Sequence, residues 1–430
     1  MRQMTLKYRN RVADSVLAER LEGAGAVLVE GAKWCGKTTT CEQLAKSVLY
    51  MGDPTARSRN LRLAEMDINS LLAGESPRLI DEWQEYPPFW DAVRFQVDHR
   101  PGFGHFLLTG SVVPPDTSEI SHTGTGRISR MLMRPMSLWE SGDSDGSVSL
   151  GSLLETGEVK PCACRPLDLS RVAYLTCRGG WPAAIDQREK IALRRAFDYY
   201  DAVVSRDISQ YDQVPRDSER VTRLMRSYAR LQGTQSNLSA IRLDMSEHDK
   251  RTLDEDTVAS YLKALRGLFV VEDMKAWCPN LRSKVVVRTS DTRFFTDPSI
   301  AVAALGAGPG DLMNDLRTFG FLFEALAVRD LRIYMDAHDG SVSHYLDKNG
   351  LECDAIVHLR NGTYGLVEIK LGGETLIEEG AATLNALARI VDPQKMKAPA
   401  FKMVLTAVGE FVYRRKEDDV IVCPIGALRP

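Results

Sequence analysis

Short apolar runs alternate with helical patterns in the first part of the chain. The apolar runs are AVLVEG, RLIDEW and FLLTGS, and the stretch TTTCEQLAKSVL after the first of them has helical spacing. This alternation predicts β-α-β units and a mostly parallel sheet. A segment rich in Gly, Ser and acidic residues at 141–158 predicts a loop or linker after this first part.

The middle of the chain has mainly helical periodicity. Two segments place apolar residues on one helix face, the first with Val221, Leu224, Met225 and Tyr228, the second with Val258, Tyr261, Leu262 and Leu265. Asp256 or Thr257 is able to cap the second helix. LFVVEDM and KVVVRTS then have the composition of strands. Helices followed by a short hairpin resemble a winged helix-turn-helix, and packing in a plain helical bundle is the alternative.

The last part of the chain predicts a separate α/β domain. An apolar helix around FGFLFEALAVRDL comes first, and a second helix is expected near GAATLNALARIV. The strand patterns are SHYLD, CDAIVHL, TYGLVEIK and KMVLTAV. We therefore expect an α/β protein of three parts, at residues 1–145, 159–300 and 310–430.

Composition narrows the class of protein only a little. The chain is 44% apolar and 26% charged, as in ordinary globular proteins, and a net charge of −3 neither requires nor excludes nucleic acid. The eight cysteines are scattered, and Cys162 and Cys164 have no second pair nearby, so we expect reduced thiols and no structural zinc. No apolar stretch of the sequence is long enough to span a bilayer, and the first residues, MRQMTLKYRNRVADSVLAER, lack the apolar run that a secretory signal would have. We expect a cytoplasmic protein.

The strongest chemical motif is a phosphate-binding loop. GAKWCGKT follows a predicted strand and precedes a predicted helix, which is the required context of G-x-x-x-x-G-K-[ST]. The glycines let backbone N–H groups face a phosphate at the start of a helix. Lys37 is expected to reach the β- and γ-phosphates of ATP, and Thr38 to bind Mg²⁺. The predicted nucleotide-binding residues are Gly31, Ala32, Lys33, Trp34, Cys35, Gly36, Lys37, Thr38 and Thr39.

Polar residues end two further strands. RLIDEW ends in Asp81 and Glu82, and buried acids at a strand end require a cation or a water to act on. Asp81 is expected to support the Mg²⁺ ion, and Glu82 to orient or activate the attacking water. FLLTGS ends in Thr109, Gly110 and Ser111, where Thr109 is our first choice and Ser111 our second for contact with the γ-phosphate or the water. A plain turn is the alternative.

Arginines cluster after these strands. Arg127, Arg130 and Arg134 lie in GRISRMLMRPMSLWE, and any of them is a candidate arginine finger in cis or in trans, with Arg127 taken as the catalytic candidate. Arg178 in CRGGWP is a further candidate for reporting the nucleotide state. Ordinary surface charge is the alternative for each arginine.

The C-terminal part contains a possible metal-binding constellation. In the strand YGLVEIK, Glu368 and Lys370 point the same way, and Asp354 belongs to the strand pattern before it. Glu324 lies inside an apolar helix, where a carboxylate needs a partner or a metal. The alternative is that Glu368 and Lys370 form an exposed cross-strand ion pair, which contributes little to stability. A fold that binds nucleic acid or protein without chemistry is a third possibility.

These motifs together resemble a large group of prokaryotic AAA+ type ATPases. The resemblance is carried by GAKWCGKT, LIDEWQ, LLTGS, GRISRMLMRPMSLWES, RGGWP and SRDIS, and further matches run through nearly the whole chain. It implies a parallel-sheet P-loop NTPase domain of AAA+/ASCE type at 1–145, followed by a helical lid and winged-helix-like region at 159–300. The C-terminal region of this group is poorly understood.

The C-terminal pattern is similar to the D…E-x-K pattern of restriction-endonuclease-like folds. This similarity implies that Asp354 and Glu368 bind Mg²⁺ or Mn²⁺, with Glu324 as an extra ligand, and that Lys370 helps to activate water for phosphodiester hydrolysis. It implies an endonuclease-like α/β domain at 310–430. Whether this domain cuts nucleic acid or only binds it stays open.

The expected function is Mg²⁺-dependent ATP hydrolysis coupled to the C-terminal domain. The alternative is a nucleotide-gated switch with negligible turnover and no nuclease activity. Lys263 and Arg266 in the middle region are surrounded by acidic residues, which opposes phosphate binding and favours a packing or oligomer role there. The expected partners are ATP, DNA, and either a second copy of the chain or another protein.

Overall fold

The structure is a computed structural model that describes residues 8–114, 123–246, 254–278, 290–391 and 396–430. The chain divides into two units. The N-terminal unit comprises Met1–Pro135, Ser205–Arg216 and Lys263–Val270. The C-terminal unit comprises Met136–Val204, Asp217–Leu262 and Val271–Pro430. The division into three parts at 1–145, 159–300 and 310–430 stays a prediction.

The helices and strands are as follows. The α-helices are α1 (Val12–Gly23), α2 (Lys37–Glu42), α3 (Arg57–Leu72), α4 (Phe89–His99), α5 (Leu138–Ser141), α6 (Leu150–Thr156), α7 (Leu169–Arg178), α8 (Pro182–Ile185), α9 (Glu189–Ala202), α10 (Ile208–Gln210), α11 (Ser218–Arg230), α12 (Leu238–Ser246), α13 (Glu255–Gly267), α14 (Pro298–Leu305), α15 (Pro309–Asn314), α16 (Leu316–Asp336) and α17 (Glu374–Ile390). The strands are β1 (Ala26–Glu30), β2 (Ser47–Tyr50), β3 (Arg78–Asp81), β4 (Phe106–Gly110), β5 (Ile128–Leu132), β6 (Val148–Ser149), β7 (Cys162–Leu167), β8 (Ser341–Leu346), β9 (Glu352–His358), β10 (Tyr364–Lys370), β11 (Phe401–Thr406), β12 (Gly409–Arg414), β13 (Ile421–Pro424) and β14 (Leu428–Arg429).

The N-terminal unit is built on a five-stranded sheet in the order β2-β3-β4-β1-β5. All four strand pairs are parallel. The predicted parallel sheet is therefore confirmed. The prediction that TTTCEQLAKSVL is one helix is wrong, because α2 ends at Glu42. The last three residues of this segment, SVL, begin β2. Leu49 of β2 is buried in the core, and the pairing of β2 with β3 decides the conformation of this segment over its helical spacing.

The core of this unit lies between the sheet and its helices. Leu28, Ile80 and Leu108 come from three neighbouring strands and are buried together. Trp83 and Trp90 pack beside them, with ring centroids 5.2 Å apart. Apolar side chains on both faces are typical of a parallel sheet with helices on each side. This core fixes the carboxyl ends of the strands, where the polar residues of interest lie.

The C-terminal unit contains a seven-stranded mixed sheet in the order β7-β12-β13-β11-β10-β9-β8. The four predicted strands are β8 to β11, and the predicted helix between the last two is α17. β10 and β11 are parallel, whereas β9 is antiparallel to both of its neighbours. The edge strand β7 precedes the middle helices in the chain and pairs with β12. The sequence patterns missed β7, β12 and β13.

The middle helices bury the faces that their spacing predicted. Val221, Leu224, Met225 and Tyr228 of α11 are buried, and so are Val258, Tyr261, Leu262 and Leu265 of α13. The cap of α13 differs from the prediction, because the Asp254 carboxylate accepts from the Thr257 N–H at 2.6 Å.

The predicted wing is described only in part. In LFVVEDM the structure has isolated bridges, Val271 to Phe295 and Met274 to Thr292, and no regular strand. KVVVRTS lies almost wholly at 284–289, outside the described residues. The winged-helix interpretation stays a prediction.

Buried charges join several elements of the C-terminal unit. Arg329 on α16 donates to Asp297 at 2.8 Å and to Asp330 at 2.7 Å. Asp297 caps α14 and accepts from the Gly180 N–H, while Asp330 accepts from the Leu138 N–H. RGGWP and FTDPSI thus meet around one buried guanidinium. No described helix is long and apolar enough to cross a membrane.

Candidate functional site

The phosphate-binding loop connects β1 to α2 and requires glycine at both ends. Gly31 has φ +151°, and a Cβ there would lie 2.1 Å from the Met133 carbonyl oxygen. Gly36, with φ +103°, precedes α2 in the left-handed region. Trp34 also has a positive φ, of 67°, which is uncommon for a bulky residue. Such backbone strain is typical of ligand-binding loops.

Lys37 lies at the centre of this loop. Its side chain is buried, and Nζ donates to the carbonyl oxygens of Gly31 and Ala32, at 2.9 Å each. The ammonium group is thus enclosed by the backbone that would surround a phosphate. The contact of Lys37 with the phosphates of ATP stays a prediction.

Arg11 supports the loop from outside, and the sequence patterns missed it. Its Nη1 donates to the Cys35 carbonyl at 2.9 Å, and its Nη2 donates to the Arg134 carbonyl at 2.8 Å. The side chain is only 7% exposed. Arg11 therefore links the phosphate-binding loop to the segment that follows β5. No spacing rule distinguishes it from its neighbour Arg9.

The tips of three elements meet at the carboxylate of Asp81. Oδ1 accepts from the Thr38 hydroxyl at 2.6 Å and from the Thr109 hydroxyl at 2.7 Å. The sheet order explains the meeting, since β4 lies between β1 and β3. The carboxyl ends of parallel strands are the usual site of ligand binding in such sheets. The two predicted Mg²⁺ residues, Thr38 and Asp81, are thus adjacent.

Glu82 follows Asp81 in a left-handed backbone conformation, with φ 56°. Its carboxylate accepts from the Ser111 hydroxyl at 2.9 Å and from the Gln84 amide. Its N–H donates to the Thr109 hydroxyl at 3.1 Å. The Thr109 hydroxyl therefore binds both Asp81 and Glu82, and this geometry indicates that Thr109 positions the two acidic residues. Its contact with a γ-phosphate stays a prediction, and Gln84 was not foreseen.

Arg127 does not join this group in its own chain. Arg127 precedes β5, whose first residue pairs with the first residue of β1. It therefore lies near the amino ends of these strands, whereas the phosphate-binding loop follows the carboxyl end of β1. Its Nε is bound to Asp98 at 2.8 Å. Arg130, on β5, pairs with Glu30 at 3.3 Å. The geometry does not support Arg127 as a finger in cis, and a contribution in trans stays a prediction.

The two other arginines have structural partners. Arg134 is buried after β5, and its carbonyl is held by Arg11. Arg178, in the C-terminal unit, is buried and pairs with Asp143 at 2.9 Å. Burial alone would raise the pKa of Asp143, but Arg178 and Ser141 hold it below its ordinary value. These contacts give Arg178 a structural role in its unit.

Lys33, another residue of the loop, has an acidic partner from a distant part of the sequence. Its Nζ lies 2.8 Å from Oδ1 of Asp207, with 39% of the lysine side chain and 13% of the aspartate side chain exposed. Asp207 belongs to SRDIS, and it ends a π-helical turn at Val203–Asp207. Such turns occur frequently at functional sites. The sequence offered no chemistry for this motif.

The C-terminal unit brings Asp354, Glu368 and Lys370 together. The Lys370 Nζ lies 3.1 Å from Asp354 and 2.6 Å from Glu368. Glu368 is 3% exposed, so the alternative of an exposed cross-strand pair is wrong. Both faces of β10 are covered, because α17 packs near Glu368. Oε1 of Glu368 has no hydrogen-bond partner among the residues that the structure describes.

Two further carboxylates lie near Asp354, Glu368 and Lys370. Glu324 on α16 lies within electrostatic reach of Asp354, Glu352 and Glu368, and burial and then Asp354 raise its pKa. Burial and Asp354 also raise the pKa of Glu352, which the sequence analysis did not name. Burial, then Asp354, raises the pKa of Glu368 to about 8. We call Glu324, Glu352, Asp354, Glu368 and Lys370 the carboxylate cluster.

A glycine from the middle region approaches this cluster. Gly233 has φ +72°, and a Cβ there would lie 3.0 Å from Phe321 and 3.1 Å from Oε2 of Glu324. Within the described part of the chain, no three His, Cys, Asp or Glu side chains are arranged to hold a metal ion by themselves. At the cluster, the Lys370 ammonium lies between two of the carboxylates.

Three segments of the chain match family models. Residues 24–141 match the AAA domain, residues 170–311 match a domain of unknown function (DUF8612), and residues 319–428 match another domain of unknown function (DUF4143). Together with the phosphate-binding loop and the parallel sheet, the first match defines an ATP-binding P-loop domain of the AAA ATPase type. No curated protein matches the chain significantly.

Several solved structures are similar over much of the chain, at low identity. The Walker-type ATPase PABY2304 of Pyrococcus abyssi is 12% identical, over 70% of this chain and 98% of its own, with a TM-score of 0.41. The ORC2 protein of Aeropyrum pernix (ADPNP–ADP complexes) is 16% identical over 61% and 85%, with a TM-score of 0.30. The Aeropyrum pernix ORC1 protein in complex with DNA is 13% identical over 70% and 93%, with a TM-score of 0.23. These scores are too low to support any argument about function.

Proposed function

We propose that the N-terminal unit hydrolyses ATP with Mg²⁺. The observation that carries the proposal is the meeting of Thr38 and Thr109 on the carboxylate of Asp81, beside the loop that encloses Lys37. In P-loop proteins, Mg²⁺ is held by the serine or threonine hydroxyl of the loop and by an aspartate that follows a buried strand. The family match to the AAA domain supports the same assignment.

Each residue then has a stated part in the reaction. Lys37 stabilises the negative charge of the β- and γ-phosphates. Thr38 would hold the Mg²⁺ ion and Asp81 would support its shell, and the ion would supply further positive charge to the phosphates. Glu82 orients the attacking water, and its own carboxylate is held in place by Ser111.

The test compares two variants in binding and in turnover. Lys37→Ala is expected to lose ATP binding, whereas Glu82→Gln retains binding and stops phosphate release. Binding is measured by isothermal titration calorimetry, and turnover by release of inorganic phosphate. Normal hydrolysis by Glu82→Gln would remove Glu82 from its role. Turnover by the parent no faster than that of Lys37→Ala would instead favour the nucleotide-gated switch.

A second function is favoured by the carboxylate cluster. We infer that it binds a divalent cation and cleaves phosphodiester bonds of nucleic acid. Lys370 pairs with Asp354 and Glu368, and Glu324 and Glu352 lie within electrostatic reach of them. Oε1 of Glu368 is buried without a hydrogen-bond partner among the described residues. Oxygen atoms in this situation suit Mg²⁺ or Mn²⁺. Mg²⁺ is commonly held by one or two carboxylates with waters and substrate phosphates, so Asp354 and Glu368 form a sufficient set.

The residues of the carboxylate cluster would have different roles in the cleavage reaction. Asp354 and Glu368 would hold the cation, which polarises the phosphate and lowers the pKa of a bound water. Lys370 would hold that water or the negative charge that develops on the phosphate. DNA and RNA share the phosphodiester group on which this chemistry acts, so both are substrates to test.

The experiment uses linear duplex DNA, single-stranded DNA and RNA with Mg²⁺ or Mn²⁺, with and without ATP. The parent is compared with the Asp354→Ala, Lys370→Ala double variant. Cleavage that the double variant loses supports the assignment. Equal cleavage by both proteins would exclude it, and no cleavage under any condition would leave a domain that only binds.

A further inference from the structure

Two segments from the middle of the sequence belong to the N-terminal unit, namely Ser205–Arg216 and Lys263–Val270. The first provides Asp207, which pairs with Lys33 of the phosphate-binding loop. The second provides Gly267, whose carbonyl accepts from the Val113 N–H at 2.9 Å. Val113 comes two residues after Ser111, at the tip of β4. The two segments therefore contact the unit beside the two elements that carry Lys37 and Thr109.

The first segment is braced internally. Arg216 donates to the Ile208 carbonyl at 2.7 Å and binds both carboxylate oxygens of Asp212, at 2.6 and 2.7 Å. The Arg216 side chain is 1% exposed. These bonds tie Ile208 and Asp212 to Arg216 at the end of the segment.

The two segments also contact each other. The ring of Tyr211 packs against Gly267 so closely that a Cβ on the glycine would lie 2.3 Å from ring carbons. The continuous path thus runs from Lys33 to Asp207, through Tyr211 to Gly267, and on to Val113. Interlocked packing transmits small shifts because it leaves little free volume to absorb them.

The ion pair at the start of this path is one that a phosphate is able to break. The Lys33 ammonium is partly exposed, and partly exposed ion pairs are weak. Lys33 belongs to the loop that surrounds the phosphates, and a γ-phosphate adds negative charge there that exceeds the charge of one carboxylate. ATP therefore offers Lys33 a competing partner that ADP lacks.

We propose that Asp207 is a positioning residue that holds Lys33 away from the nucleotide until a γ-phosphate takes its ammonium, and that this exchange passes the nucleotide state to Ser205–Arg216 and Lys263–Val270. The proposal rests on ATP binding at the phosphate-binding loop. It gives SRDIS a part in the response to ATP. Asp207 makes no contact with the nucleotide itself.

The test is made in full-length protein carrying Glu82→Gln, which keeps ATP intact. ATP and ADP are titrated with Mg²⁺ into this parent, into Asp207→Asn, into Lys33→Met and into the double variant. Asp207→Asn is expected to lower the Kd for ATP about threefold, the scale of a partly exposed ion pair, and to leave the Kd for ADP unchanged. In the Lys33→Met background the same substitution is expected to have no effect.

A second readout follows the segments directly. In the parent, amide hydrogen exchange within 205–216 and 263–270 is expected to be faster with ATP than with ADP, and Lys33→Met abolishes this difference. Arg57→Gln is the matched control, because it breaks another exposed ion pair of the same unit, with Glu85 at 2.6 Å, away from both segments.

The outcomes separate this proposal from the proposed function. A parent that binds neither nucleotide overturns both. A parent that binds ATP overturns only the Asp207 proposal if Asp207→Asn changes ATP and ADP affinity equally or leaves both unchanged. An effect that persists in the Lys33→Met background, or that Arg57→Gln reproduces, has the same consequence.

Discussion

The hydroxyl of Thr109 donates to the same oxygen of Asp81 that accepts from Thr38, at 2.7 Å and 2.6 Å. One oxygen of the Asp81 carboxylate, at the end of β3, therefore binds both Thr109 on β4 and Thr38 in the first turn of α2. Thr109 also accepts from the Glu82 N–H, so one buried hydroxyl fixes both acidic residues. Thr109 is fully buried.

Replacing Thr109 by valine tests this positioning role. Thr109→Val keeps the shape but removes the bond to Asp81 and leaves the Glu82 N–H without its acceptor. We expect kcat to fall by at least tenfold, with the KM for ATP changed by no more than about threefold, because the lost bonds orient catalytic groups and not the nucleotide. Phosphate release at varied ATP and Mg²⁺ measures both constants. Thr109→Ser retains the hydroxyl and should recover most of kcat. A valine variant with the parent's kcat would contradict the role.

Arg11 offers a test of the support behind the phosphate-binding loop. Arg11→Met removes both bonds to the Cys35 and Arg134 carbonyls while keeping much of the apolar stem. We expect the Kd for ATP to rise about tenfold, because the loop then loses part of its preorganised shape. Calorimetry measures the change, and chemical denaturation monitors the fold.

The matched control for Arg11 is Arg20→Met. Arg20 also binds main chain of the same unit, but at the Arg130 carbonyl (2.7 Å), which belongs to β5. A similar loss of ATP affinity in both variants would mean that stability, and not loop shape, is responsible.

The buried guanidinium of Arg329 should be one of the most costly side chains to remove. Arg329→Met leaves the carboxylates of Asp297 and Asp330 buried without their cation, for which about 3–5 kcal/mol of unfolding free energy is the expected loss. Urea denaturation gives the value. Arg360→Met is the control, since Arg360 is 81% exposed and lies 3.9 Å from Asp339. Its removal should cost less than about 0.5 kcal/mol. Comparable losses in the two variants would show that the buried network is not stabilising.

His344 provides a prediction about pH. Its Nδ1 accepts from the Gln235 amide at 3.2 Å and its Nε2–H donates to the Ser290 carbonyl at 3.0 Å, which is the neutral tautomer. Burial lowers its pKa below the ordinary value. The folded state therefore resists protonation, and the stability that His344 contributes is present above about pH 6.5 and is lost as the pH falls towards the depressed folded pKa.

The measurement compares unfolding free energies of the parent and His344→Gln between pH 7.5 and 5.5. The parent should lose more stability over this range than the variant, because glutamine does not titrate. Equal slopes in the two proteins would show that His344 is not protonated on unfolding. Since other titrating groups are common to both proteins, their effects cancel in the difference.

Local patterns predicted the elements whose sequence rules are strongest. The phosphate-binding loop was found because glycine and lysine occur at fixed spacing. Asp81 and Glu82 were found because buried acids at a strand end require a cation or a water, and because they follow that loop. The strand β2 was missed because SVLY continues a helical pattern, and only pairing with β3 decides its conformation.

Contacts between distant residues were not predictable in the same way. Arg11, Asp207 and Gly233 act through main-chain carbonyls, an ion pair and a close approach to Glu324, and none of these leaves a spacing in the sequence. Arg127 was selected for its charge alone. The parallel pairing of β5 with β1 places it near the amino ends of these strands, whereas Lys37 lies beyond the carboxyl end of β1.

The pairing of β7 with β12 has a consequence for the order in which parts of this protein fold during synthesis. The Cys164 thiol donates to the Gly409 carbonyl, two positions that are 245 residues apart in the chain. During synthesis, β7 must therefore wait until β12 and β13 have left the ribosome before the sheet can close at this edge. Contacts of such long range form slowly, and an unpaired strand edge is prone to wrong association in the meantime. We expect yield in a heterologous host to respond to lower growth temperature and to chaperone supply more than to changes within the phosphate-binding unit.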